Sequence, residues 1–122
     1  MPTEPRDPTL AEVVRRAVLV CDPDEAEEGL SEFLTRLEDR DEPITSFDDV
    51  EEVVAEARHA VDPEEELPAV SMAAAVTVYL AHRRTELDDE PEDILRLAAR
   101  AEFAGTPPPD VADWLAARGV DL

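Results

Sequence analysis

Apolar residues recur along this chain at three- and four-residue intervals, and acidic residues standing directly before prolines break the pattern. The steps are Asp7-Pro8, Asp22-Pro23, Glu42-Pro43, Asp62-Pro63 and Glu90-Pro91. A carboxylate before proline suits a helix start. It can accept orphan backbone N–H groups, and proline at the first helical position gives up a donor that has no partner there. Four of these steps precede a helix-period pattern, and Glu42-Pro43 reads as a loop leading to Ser46.

The spacing predicts six helices. The first covers 8–21, with Leu10, Val13, Val14, Ala17, Val20 and Cys21 inward. The second covers 23–40, with Ala26, Leu30, Phe33, Leu34 and Leu37 inward. The third covers 47–61, with Ser46 and Asp49 at capping-box spacing and Val50, Val53, Val54, Ala57 and Val61 inward. The fourth covers 68–86 and is apolar nearly all round from Ala69 to Ala81. The fifth covers 91–104, with Ile94, Leu95, Ala98 and Ala101 inward and Gly105 as terminator. The sixth covers 109–118, with Val111, Trp114 and Leu115 inward and Gly119 as its stop. No segment alternates with period two.

The expected fold is therefore all-α, a compact bundle of five to six helices. A short flexible segment, 1–7, precedes a single helical domain, 8–122. A helix that is apolar on every side belongs at the centre. The alternative is a homodimer that covers part of the fourth helix. The gaps between acid–proline steps vary, so no repeat of fixed period is expected.

Charge changes this picture. The chain of 122 residues has 32 acidic residues against 11 arginines, a formal net charge of −21, and no lysine, asparagine or glutamine. A GC-rich genome and a salt-loaded cytoplasm both favour such a profile, so a salt-adapted or GC-rich prokaryote is the expected source. The acids are concentrated: ten with two arginines from Asp22 to Glu42, and nine with one arginine from Asp48 to Glu66. Glu27, Glu28, Glu51 and Glu52 lead these runs and are the expected partner-binding residues, for a basic protein partner. The plainer explanation of the same residues is that the second and third helices are simply the most exposed.

Candidate chemistry adds little. Glu56 and His59 make a Glu-x-x-His step, half of a di-iron motif, but His82 has no matching glutamate. The acids from Asp22 onward lack the glycine and final glutamate of a calcium loop. Cys21 falls on an apolar stripe and reads as a structural thiol. No glycine-rich phosphate loop is present. No metal, cofactor or catalytic residue is therefore assigned, and the chain is expected not to be an enzyme.

Ala101, Gly105, Val111 and Trp114 have spacing that resembles helix-turn-helix DNA readers, which implies a C-terminal helical corner. Asp110 and Asp113 on the would-be reading helix would repel DNA, so no nucleic acid is expected as a partner. The longest apolar stretch is too short for a bilayer and no secretory signal is visible, so a soluble cytoplasmic protein without membrane association is expected. The leading function is a non-enzymatic protein-interaction module. Its rivals are a nucleic-acid-mimicking inhibitor or antitoxin of a basic DNA-binding partner, and an enzyme with a dispersed carboxylate site.

Overall fold

The computed structural model describes residues 8–44, 49–64, 66–82, 90–104 and 106–120. Among these residues the chain is all-α, with helices α1 (Leu10–Cys21), α2 (Glu28–Leu37), α3 (Val50–Val61), α4 (Pro68–His82), α5 (Pro91–Phe103) and α6 (Pro109–Ala117). The order and number follow the hydropathy pattern. The predicted segment 1–7, the cap residue Ser46, the terminator Gly105 and the end of the fourth helix beyond His82 lie outside the described residues.

Each start has its own local cause. Thr9 caps α1, its hydroxyl oxygen accepting from the Glu12 N–H at 3.1 Å. Asp49 caps α3 in the same way, accepting from the Glu52 N–H at 3.1 Å. Pro91 opens α5 and Pro109 opens α6, where the missing donor costs nothing. The acid–proline rule fails at the first, second and fourth helices: α1 is capped by Thr9, and α4 begins at Pro68, five residues after Pro63. Asp22 is not the N-cap of α2, which begins at Glu28, five residues later than predicted.

Asp22 instead clasps a turn. Its two carboxylate oxygens accept from the N–H groups of Ala26 at 3.0 Å and Glu27 at 2.9 Å. Asp62 does the same to Glu66 and Leu67, both at 2.9 Å. Both aspartates end a helix with nearly the same backbone angles, φ −144° and ψ 72° against φ −139° and ψ 68°. Both are buried, at 6% and 5% exposure.

These turns correct the expectation of no fixed repeat. α3 and α4 begin 40 residues after α1 and α2, and Asp62 lies 40 after Asp22. Glu12, Val13, Val14, Ala17, Pro23 and Ser31 recur as Glu52, Val53, Val54, Ala57, Pro63 and Ser71. A third helix pair, α5 and α6, begins 41 residues further on. Leu30, Val70 and Val111 occupy one register in the three pairs, and all are buried. The third pair has no aspartate clasp. Its connection starts at Ala104, which enters the left-handed region at φ 51°, one residue before the predicted glycine.

The three pairs do not stack as a solenoid. α4 contacts all five other helices, and its residues from Ala69 to Ala81 are buried except Val78. Met72, Ala73, Val76, Thr77 and Leu80 have no exposed surface. Thr77, the polar residue at the centre, returns its hydroxyl to the Ala73 carbonyl at 2.7 Å, so no donor is stranded. The central position expected from the apolar surface is the one observed. That surface is covered within one chain, which leaves Val78 and His82 as the outward part of α4 for any second copy.

Around this axis, Leu10, Val13, Val14 and Ala17 of α1, Phe33 of α2, Val54 of α3 and Ile94 and Ala98 of α5 close the core. Ala26 and Ala101, assigned inward from spacing, are exposed. Ala26 lies in the clasped turn, outside any helix, and Ala101 sits one turn from the end of α5. The segment before α1 is tied to the segment after α2: the Ile44 N–H donates to the Pro8 carbonyl at 2.8 Å and the Ala11 N–H to the Arg40 carbonyl at 3.0 Å. Ile44 is thereby carried into the core.

Candidate functional site

The acidic surface is built by the same helices that leave α4 covered. Between Asp24 and Glu66, every described acidic residue except Asp62 is exposed. The two buried aspartates are structural and are not part of the exposed acidic surface. Glu27, Glu28, Glu51 and Glu52 are all outward, at the first turns of α2 and α3.

The two pairs are not brought together. Glu51 faces the end of α4, where its carboxylate lies 3.5 Å from the His82 imidazole. Glu27 lines a pocket at the start of α4, beside Leu67, Pro68 and Ala69. α4 has 15 residues, and at 1.5 Å per residue it separates the pairs by roughly 20 Å. A nucleic-acid mimic relying on these four residues would need one row of charge, whereas the pairs stand near opposite ends of the axis.

The pocket at the start of α4 is the most apolar feature near the acids. Its volume is about 140 Å³, and it is lined by Glu27, Gly29, Leu30, Leu67, Ala69, Val70 and Trp114, with Pro68. Glu27, Gly29 and Leu30 are the 40-residue equivalents of Leu67, Ala69 and Val70, so matching first turns of the two helix pairs meet here. Gly29 permits the approach: a Cβ on it would lie 3.1 Å from Val70 Cγ2 and 3.2 Å from Leu67 Cδ1. Leu67 is 43% exposed, one of two large apolar side chains left outward among the described residues. The wall opposite is Trp114, the chain's sole tryptophan, whose indole N–H is buried without a hydrogen-bond partner among the described residues.

Arg118 stacks on Trp114. Its guanidinium carbon lies 3.6 Å from the ring centroid, a cation–π contact. Its Nη1 donates to the Trp114 carbonyl at 3.3 Å and its Nε to the Cys21 carbonyl at 3.4 Å. The end of α6 is thus fastened to the end of α1. The adjoining cleft, about 440 Å³, is lined by Cys21, Asp22, Asp24, Glu92 and Arg118 among others.

Little in this arrangement supplies reaction chemistry. Cys21 has no exposed surface. Burial pushes its thiol pKa up, against a smaller opposing pull from Arg118, so a thiolate nucleophile is disfavoured. His59 is exposed on α3, as its place among acids suggested, and His82 is exposed at the end of α4. Among the described residues no three His, Cys, Asp or Glu side chains group to hold a metal ion. The described helices include none long and apolar enough to cross a membrane.

A second groove runs along α3 and α4, about 200 Å³, lined by Glu51, Val54, Arg58, Ser71, Ala75 and Val78 with Glu102 of α5. Arg58 closes part of it, its Nη2 donating to the Ser71 hydroxyl oxygen at 2.9 Å.

Sequence reasoning passed over three of these features. The aspartate clasps were signalled by two identical Asp-Pro steps 40 residues apart. The Arg118–Trp114 stack was signalled by i, i+4 spacing on a short helix. The pocket had no local signal, because it arises where three helices meet. Comparison with protein-family models, with curated proteins and with solved structures gives no match.

Proposed function

We propose that this chain is a non-enzymatic protein-interaction module whose acidic helical surface meets a basic partner. The observation that carries the reading is the outward placement of the described acids from Asp24 to Glu66, among which Asp62 alone is drawn inside, like Asp22 before them. A surface of that sign raises the encounter rate with positive partners and discriminates against negative ones. A salt-loaded cytoplasm is the setting such a composition suits, where screening tempers the self-repulsion of −21 charges.

The test is recovery of a partner from the cells that make the protein. The native chain is compared with one in which Glu27, Glu28, Glu51 and Glu52 are all reversed to Arg. The expected result is a basic protein retained by the native chain at low salt, released as salt rises, and absent from the reversed chain. Equal retention by both chains would overturn the reading and leave the acids as a solubility device. If the retained protein binds DNA and DNA displaces it, the interaction takes the form of nucleic-acid mimicry.

A further inference from the structure

We propose that the pocket between the first turns of α2 and α4 is a docking site for a short basic segment of another protein, which inserts one aliphatic side chain between Leu67 and Trp114. This inference rests on the interaction-module reading and gives it a place. Three observations converge here and not at the other clefts. The pocket is apolar in its floor, where Leu30, Ala69 and Val70 are buried. Its volume of about 140 Å³ is roughly tenfold the 10–15 Å³ that one water needs, and its apolar lining suits a hydrocarbon group. It is also lined by Leu67, 43% exposed, whose apolar surface an inserted hydrocarbon side chain would cover.

Charge complementarity selects the occupant. Glu27 lines the pocket, and Glu28 and Glu66 are exposed beside it in the chain. Arg118, stacked on Trp114, is already committed to two carbonyls and the ring. A second copy of this chain would bring the same acids against these, which opposes a homodimer. A nucleic acid would meet like charge. A segment with an aliphatic residue flanked by Arg or Lys satisfies both the floor and the rim. The anchor would fill a desolvated centre and the flanking cations would steer encounter, as in interfaces where a few central residues dominate the energy.

Trp114 is the reporter for the test. Its fluorescence is titrated with an arginine-rich peptide carrying one central leucine, and with a twin carrying alanine there. The native chain is expected to bind the leucine peptide about tenfold more tightly than the twin, the loss that truncating an anchor side chain brings. Leu67→Asp, at an exposed position, should erase that preference while the helical circular dichroism stays unchanged. Glu27→Arg with Glu28→Arg should weaken binding about tenfold or more, and Glu51→Arg with Glu52→Arg by no more than about threefold. Both pairs occupy first helical turns, so the cost to helix ends is matched.

Three results would overturn the site: no preference for leucine, equal weakening by the two reversed pairs, or native chains that sediment as dimers split by Leu67→Asp. Should these occur while the reversed chain still loses its cellular partner, the docking site falls and the interaction-module reading stands.

Discussion

Replacing Asp62 by alanine tests whether the clasped turn holds the fold. The carboxylate accepts from the N–H groups of Glu66 and Leu67, both at 2.9 Å. Hydrogen bonds to a charged group contribute about 1.5–3 kcal/mol each. The freed N–H groups can reach water, since Glu66 and Leu67 are exposed, so the lower end applies. Two bonds at that lower end give a loss of roughly 3 kcal/mol, out of about 5–15 kcal/mol for a typical domain. That corresponds to a midpoint drop of roughly 8–16 °C for a chain of this size. Removing one negative charge from so acidic a chain also relieves repulsion, which offsets part of the loss at low salt. The deficit should therefore be larger in molar potassium chloride than in dilute buffer. Urea unfolding followed by circular dichroism at both salt concentrations measures it. Asp62→Asn keeps one acceptor oxygen and should lose about half as much. A loss under about 0.5 kcal/mol for Asp62→Ala in high salt, the range of an ordinary surface substitution, would refute the assignment of a structural role.

Four further outcomes are expected. Stability of the native chain should rise with potassium chloride, because the Debye length falls from about 10 Å at 0.1 M to about 3 Å at 1 M; thermal melts across that range check it. Cys21 should resist alkylation in the folded chain and react once urea unfolds it, because the thiol is buried and its pKa is raised; mass spectrometry reads the adduct. Ala104→Gly should stabilise by about 0.5–1 kcal/mol, because the residue has φ 51° and an L side chain is strained there. Gly119→Ala should destabilise by about 1 kcal/mol for the same reason, its φ being 75° with open space around it.

The sequence exposed the fold most clearly where one physical cause dominates. The apolar run from Ala69 to Ala81 called for cover on every side, by the other helices or by a second copy, and the other helices supply it. Stripes such as Leu30, Phe33 and Leu37 were legible because burial on one face is a periodic demand. The start of α2 was misread because Asp-Pro has two uses. The carboxylate can cap the helix that follows, or it can close a turn after the helix that precedes. Asp22 does the second, its oxygens accepting from residues four and five ahead, and residues 23–27 become a loop. Local sequence cannot separate the two, although the recurrence at Asp62 could have prompted the comparison. The four acidic residues singled out from charge runs are exposed as expected. Their division between opposite ends of α4 could not be read from spacing, because it depends on how the helix pairs cross.

The position of α4 has a consequence for how the molecule opens. Each of the other helices packs against it, so none of them can detach without uncovering part of a helix that has almost no polar surface of its own. Partial opening is then costly wherever it begins, and unfolding is concerted. The amide protons of α4 from Met72 to Leu80 should exchange with solvent only when the whole chain unfolds. Their exchange rates would then measure the global free energy, while the ends of α2 and α6 exchange through local fraying. The run of alanines and valines at the centre is the element through which the three helix pairs share one transition.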